Sequence, residues 1–353
     1  MAIKLDNLHY SFRAINGYNK AFNFVVSARE LGKTTSAWME LVYFPWKKNK
    51  RPWIYLVRQK IEIDESLIDS ICDVNMNKFT DDNIVFEYNK SSFKSGVVDV
   101  CINGEKFMRV IALSNKLRKL KLSILKNCGG VLMDEYIINP KMDERYLKDE
   151  AYKIKEAYTT WRRECDGILK MYFLGNPYSL YNPLFVDWGV DTNKLRIGEF
   201  YVGDNYVIHY AKISDALKEH LLKVNPLYKF DEDYMQYALE GKAVLDSNIK
   251  VIDKQPMNYS LSYIFKLHNK YVGLYRNNAM NNDDRYWAGE VDEVSRRRTI
   301  YCFDFEELVE RSILLSLDER SLLNAFKNSM RKRAISFESI EIYYLIEDIY
   351  NNI

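Results

Sequence analysis

The run Phe22-Asn23-Phe24-Val25-Val26-Ser27-Ala28-Arg29-Glu30-Leu31-Gly32-Lys33-Thr34 carries an apolar stretch into a short loop that ends Gly-Lys-Thr. These residue types in this order suit phosphate chemistry. Gly32 places no Cβ between the backbone and an approaching phosphate. Lys33 offers a point charge to β- and γ-phosphates, and the Thr34 hydroxyl is a ligand for Mg2+. Successive N–H groups at a helix start add an anion nest aligned with the helix dipole. The candidate nucleotide site is therefore Ser27, Ala28, Arg29, Glu30, Leu31, Gly32, Lys33 and Thr34, with Thr35 behind them. The usual pattern opens on glycine and this one on Ser27, which takes the turn provided its φ stays negative. An ordinary βα turn with an exposed lysine is the plainer alternative. The β-type run in front and the helical stretch Thr35–Tyr43 behind favour phosphate binding.

A second constellation lies at Gly129-Gly130-Val131-Leu132-Met133-Asp134-Glu135, an apolar strand running into two acids. Asp134 is placed to hold Mg2+, directly or through water, and Glu135 to act as general base on an attacking water. The apolar run Ile168–Leu174 stops at Gly175-Asn176, a polar strand tip suited to sensing a γ-phosphate. Arg162 and Arg163 end a charged helix over 143–163, where either suits an arginine finger on a neighbouring subunit's nucleotide. Complementing the helix dipole also explains them. Tyr18 and Lys20, ahead of the first strand, are candidates for contact with the base. Arg58 closes the apolar strand Trp53–Val57, where it meets either nucleotide or a neighbouring acid. Lys60 follows it, and the cationic segment from Lys116 to Lys126 includes Arg118, Lys119 and Lys121.

These groups need strands that end at one edge of a sheet and helices that return the chain. The pattern predicts a helix over 61–79 with Ile61, Ile63, Leu67, Ile68 and Ile71 on its apolar face. A β meander follows at Ile84–Tyr88, Val97–Ile102 and Phe107–Leu113, turning at Asn103-Gly104. One more strand is expected at Val202–Ala211 and helices over 212–243, broken at Asn225-Pro226. After a linker, hairpins are predicted at Leu261–Leu267 and Tyr271–Arg276, a strand at Thr299–Phe305, and helices at Glu306–Leu317, Asp318–Lys332 and Phe337–Tyr350. Arg296-Arg297-Arg298 and Arg331-Lys332-Arg333 are compact clusters suited to phosphates. The resulting division is an ATPase domain over 1–205, a helical linker or lid over 206–247, and a C-terminal domain over 248–353.

The bulk properties exclude several classes. The 353 residues are 47% hydrophobic and 28% charged, as in a globular protein of one or two domains. Fifty-one basic residues against forty-nine acidic ones leave +2, so any nucleic-acid affinity resides in local clusters. Cys72, Cys101, Cys128, Cys165 and Cys302 are odd in number and never spaced as C-x-x-C, which signals neither a disulfide framework nor a zinc site. Met1–Asp6 lacks the apolar core of a signal peptide and no apolar run is long enough to span a bilayer, so no membrane partner is expected.

Ser27–Thr34 with Arg29 inside the loop, Val131–Glu135 and Leu174-Gly175-Asn176 together resemble the viral DNA-packaging ATPases, the large-terminase group. The likeness is nearest to the compact packaging ATPases of phi29-like tailed phages. Tyr18–Phe24 and the Ile54–Arg58 strand are similar to that group over roughly residues 16–185. The resemblance implies an α/β fold: a P-loop ATPase domain of the additional-strand, catalytic-glutamate (ASCE) subclass, whose mostly parallel sheet is flanked by helices. Trp53–Val57 is read as the intervening strand. It also implies a smaller α+β, RNase H-like nuclease domain, here expected to be vestigial because Tyr263–Leu267 carries no acid while Asp304 and Glu306 lack an evident partner set.

Its activity would be ATP hydrolysis with Mg2+, coupled to translocation of double-stranded DNA by a homomeric ring, in that group a pentamer. The ring would dock on the portal of a procapsid in the host cytoplasm, with a structural RNA as a further partner. On that resemblance Lys33, Thr34, Asp134 and Glu135 work in cis. Arg162 best matches the trans finger, Lys119 or Lys121 a second trans cation, and Lys60, Lys116, Arg118 and Lys126 the DNA pore. A large terminase with a live nuclease, and a nucleotide-switched DNA-binding or assembly protein without sustained turnover, are the competing readings.

Overall fold

The computed structural model describes residues 8–75, 84–139, 142, 144–147, 149–243, 249–267, 270–279, 285–295, 297–303, 308–315, 323–332 and 334–352. The chain divides into two compact units, Met1–Val244 and Leu245–Ile353.

In the first unit, strands β1 (Phe22–Ser27), β2 (Trp53–Val57), β3 (Phe86–Tyr88), β4 (Val97–Ile102), β5 (Glu105–Ala112), β6 (Val131–Met133), β7 (Met171–Gly175), β8 (Glu199–Val202) and β9 (Tyr206–Ala211) form one sheet. Its order is β3-β4-β5-β2-β6-β7-β1-β9-β8. The six strands from β5 to β9 run parallel, and β3, β4 and β8 are antiparallel additions at the edges. The central strands are buried along their length, as continuous apolar runs in a two-faced sheet require.

The helices are α1 (Arg13–Gly17), α2 (Lys33–Ser36), α3 (Phe44–Asn49), α4 (Glu65–Asn75), α5 (Leu117–Leu122), α6 (Glu150–Trp161), α7 (Pro183–Asp187), α8 (Asp215–Val224) and α9 (Glu232–Ala238). Val25, Tyr55, Val57, Leu132 and Leu174 face one core with residues of α4, α8 and α9, while Phe24, Ile54, Leu56, Met133 and Phe173 face another with α5, α6 and α7. Between α2 and α3 the helix winds as a π-helix over Ala37–Tyr43, with Phe44 N–H bonded to Met39 five residues back. Pro45 lacks an N–H and crowds the carbonyl of Leu41, and the wider winding accommodates both effects.

Several expectations are corrected. The strand inserted between β1 and Val131–Met133 is β7 and not Trp53–Val57, which lies beyond β6. Val202–Ala211 is the turn and second arm of the hairpin β8–β9, not one strand, and β9 pairs along all of β1, so the sheet extends past residue 205. The apolar face over 61–79 loses Ile61, which is 87% exposed in a 3-10 turn. The meander forms as expected, with Asn103 and Gly104 at φ 51° and 80°, although β5 also pairs parallel with β2.

In the second unit β10 (Tyr259–Leu267), β11 (Lys270–Asn277), β12 (Tyr286–Glu290), β13 (Ile300–Cys302), β14 (Ser312–Leu314) and β15 (Ile335–Phe337) form a sheet of order β14-β13-β10-β11-β12-β15. An antiparallel meander, β10-β11-β12, is extended by β13 and β14 parallel to β10 and by β15 parallel to β12. Helices α10 (Asn324–Arg331) and α11 (Ile340–Asn352) complete an α+β unit. The predicted helix Glu306–Leu317 is replaced in part by β14: an apolar Ser-Ile-Leu run finds its partner in Ile300–Cys302. Asp304, Glu306, Arg296 and Arg333 lie outside the described residues.

Candidate nucleotide site

The period of a strand decides which side chains meet. Leu132 and Leu174 face the P-loop side of the sheet, so Asp134 and Asn176, two residues on, emerge on that side. Lys33, buried at the start of α2, donates to Asn176 Oδ1 at 2.5 Å. The Thr34 hydroxyl is hydrogen-bonded to the Asp134 carboxyl. Asp134 Oδ1 accepts the Glu135 N–H at 2.9 Å. Glu135 is exposed beside them and sits in the left-handed region at φ 54°.

The loop itself needs two further left-handed turns, Glu30 at φ 59° and Gly32 at φ 76°. A Cβ on Gly32 would lie 2.8 Å from His9 Cδ2, so both conformation and space demand glycine there. Ser27 ends β1 fully buried with negative φ, and its hydroxyl bonds the Ala28 carbonyl at 3.0 Å. Serine therefore takes the first turn. Leu31 is buried, Thr35 half-buried in α2, and Arg29 and Glu30 are exposed on the crest.

Burial pushes the Lys33 ammonium down to about 8, against the pull of Asp134 and Glu135 and with the push of Arg29. Burial likewise raises the Asp134 carboxyl, opposed by Lys33 and by the Thr34 hydroxyl. Partial desolvation of its carboxyl against the loop, and then the Asp134 charge, raise that of Glu135 although the residue as a whole remains exposed. Two carboxyls short of positive charge next to a hydroxyl fit Mg2+, which takes one or two carboxylates together with water and substrate phosphates. Among the described residues no cluster of three or more His, Cys, Asp or Glu forms a self-contained metal site.

Arg58 meets an acid. It continues the Ile54–Leu56 face toward α6, where Nε donates to Glu150 Oε2 at 3.0 Å and Nη2 to Glu150 Oε1 at 3.2 Å. The same guanidinium donates to the Tyr136 carbonyl at 2.7 Å and the Glu135 carbonyl at 3.3 Å. Arg58 thus braces the backbone that carries Glu135.

Lys20 donates to the Asp204 carbonyl at 2.9 Å, in the β8–β9 turn at the start of β1. That is roughly 17 Å from the P-loop end of a six-residue strand. Tyr18 lies against Phe200, with ring centroids 5.0 Å apart.

Arg162 and Arg163 are exposed in a 3-10 turn after α6. Lys119 donates to the Ser95 carbonyl, and Lys121 pairs with Glu156. Lys60, Lys116 and Arg118 are exposed, and the Lys60 N–H bonds Ser114 Oγ at 3.1 Å, which brings Lys60 to the start of the 116–122 segment. Lys126 belongs elsewhere: its neighbour Asn127 bonds the Glu164 carbonyl at 3.1 Å, beside the Arg162-Arg163 turn.

Residues that sequence reasoning missed lie over the loop crest. The Tyr228 hydroxyl donates to the Glu30 carboxylate, and Arg29 is hydrogen-bonded to Tyr234. Tyr178 stacks on Tyr237 at 4.5 Å. A Cβ on Gly241 would lie 3.3 Å from the Ala28 nitrogen. Tyrosines spaced through a helical stretch carry no signal of this; only the return of 226–241 onto the loop does.

A P-loop leaving β1, acids leaving β6, a polar tip on β7 between them and β2 beyond define the α/β fold expected of an additional-strand P-loop protein. Solved phage DNA-packaging motors share it. The Phi-28 gp11 DNA packaging motor superposes with TM-score 0.64 at 15% identity over 98% of both chains. The bacteriophage Phi-29 viral genome packaging motor assembly gives 0.66 at 18%, over 98% of this chain and 99% of that one. At these identities the likeness establishes the fold, and at that level the resemblance drawn from the sequence is borne out. The sequence matches no protein-family model and no curated protein.

Proposed function

We propose that this chain is an ATPase that drives double-stranded DNA into a viral procapsid. It works as a homomeric ring, a pentamer, at the portal vertex in the host cytoplasm, with the portal and a structural RNA as partners. The observation that carries this reading is the meeting of Lys33, Asn176, Thr34, Asp134 and Glu135 at one P-loop, in a fold shared with packaging motors. A protein that only switched on nucleotide would have no need of Glu135 as a base.

ATP is the substrate, its phosphates cradled by the N–H groups of the loop and the α2 start. Lys33 holds negative charge on the phosphates and Asn176 holds Lys33. Thr34 and Asp134 are the residues that would bind Mg2+, which supplies charge neutralisation of the phosphoryl oxygens. Glu135 takes the proton of the attacking water, and Arg58 keeps its backbone in place.

Glu150, at the catalytic end of α6, and Arg162, just past the other end, are separated by about 18 Å of helix rise. That span supports Arg162 serving a neighbouring chain rather than its own. Exposed Lys60, Lys116 and Arg118 are the candidate DNA contacts, and absence of an acid from β10 supports a vestigial nuclease.

The test is ATP turnover, with and without duplex DNA, in mixtures of Arg162→Ala and Glu135→Gln chains. Each variant alone should be inactive and the mixture active, because one chain supplies the base and the next the arginine. Normal hydrolysis by Glu135→Gln would refute the motor reading.

A further inference from the structure

The second unit contains two small cavities that share one arginine. One, of about 220 Å3, is lined by Ser262 of β10, Thr299 and Tyr301 around β13, and Arg297 and Arg298. The other, of about 270 Å3, is lined by Tyr271, Val294, Ser295, Ile300 and Arg298, together with Arg311 and the acid Glu310. Arg298 lines both cavities, beside the strand that carries Thr299, Ile300 and Tyr301.

The arginines are available. Both are exposed, and among the described residues neither guanidinium meets a carboxylate. Arg298 Nη1 lies 3.4 Å from the Leu261 carbonyl, which holds its side chain over the start of β10. Its N–H bonds the Ser295 carbonyl at 3.0 Å, a turn that sets Arg297 and Arg298 together at the mouth. Arg311 differs, since it faces Glu310 at 3.9 Å and brings its own counter-charge.

We propose that Arg297 and Arg298 form a phosphodiester-binding site, through which the second unit grips a nucleic-acid backbone independently of the nucleotide site. Guanidinium forks match phosphate oxygens in pairs of hydrogen bonds. The hydroxyls of Ser262, Thr299 and Ser295 add neutral donors from the cavity walls. Contacts to phosphate oxygens carry no sequence information, so binding through this site is independent of sequence.

The experiment measures binding of the full chain to labelled duplex DNA and to an RNA of equal length across a salt series, in wild type and in Arg297→Ala/Arg298→Ala. Two lost phosphate contacts lower the log–log salt slope for duplex DNA by about 1.8, equivalent to about 30-fold weaker binding near 0.15 M salt. Turnover without nucleic acid and the thermal midpoint should stay at wild-type values, and Arg297→Lys/Arg298→Lys should retain most of the slope. A larger loss on one nucleic acid identifies it as the occupant. An unchanged slope on both overturns the proposal, as does a loss shared equally by the lysine variant with a lowered midpoint. A failed motor reading would look different: no DNA-stimulated hydrolysis, with the slope change intact.

Discussion

Arg58→Met offers a quantitative test of how the turn that carries Glu135 is held. Arg58 and Glu150 are 8% and 2% exposed, so the variant strands a carboxylate in the interior. Removing one partner of a buried ion pair costs about 3–5 kcal/mol. The carbonyls of Glu135 and Tyr136 lose donors at 3.3 and 2.7 Å as well. At about 2–4 °C per kcal/mol for a unit of this size, the thermal midpoint of the first unit should fall by roughly 6–20 °C.

Arg58→Met/Glu150→Leu removes both charges and should recover most of that loss, because an apolar pair of similar volume replaces an ion pair at little cost. Its kcat should nevertheless remain depressed, by about 100-fold, with KM little changed. Glu135 occupies a left-handed conformation, φ 54°, that persists only where its surroundings impose it. Thermal unfolding of the two variants, followed by steady-state ATP hydrolysis, makes the measurement. A single variant as stable as wild type, or a double variant no better than the single, would refute the stranded-charge argument. A double variant with full kcat would refute the bracing of Glu135.

Two further outcomes follow from the site. Gly32→Ala forces a Cβ to 2.8 Å from the His9 ring at φ 76°, so it should cost at least about 1–2 kcal/mol and abolish nucleotide binding by titration calorimetry. Because Lys33 titrates near 8 when folded and near 10.5 when unfolded, the unfolded chain binds the extra proton between these values. Nucleotide-free stability should therefore rise from pH 8 to 10.5 in urea titrations, and the rise should vanish in Lys33→Met; a flat wild-type profile would contradict the buried charge.

The sequence by itself determined the chemistry that is local in the chain. A buried run emptying into Gly32-Lys33-Thr34 specifies both strand and loop, and a run ending in Asp134-Glu135 specifies the acids. Strand alternation then puts Asp134 and Asn176 on the lysine's side. Hairpin chemistry at Asn103-Gly104 was equally legible, since positive φ at both residues is a property of those side chains.

Tertiary structure decided everything that depends on which strands become neighbours. Apolar runs such as Trp53–Val57 and Met171–Gly175 look alike, and only pairing across the sheet inserts the second of them between β1 and β6. Ser312–Leu314 is a strand because Ile300–Cys302 supplies its hydrogen bonds, not because of its own preference. The same holds for side chains. Arg58 was ambiguous until α6 brought Glu150 to within 3.0 Å, and Tyr228 reaches Glu30 from 198 residues away. A charge or hydroxyl is satisfied by whatever the fold places beside it, and sequence spacing does not encode that partner.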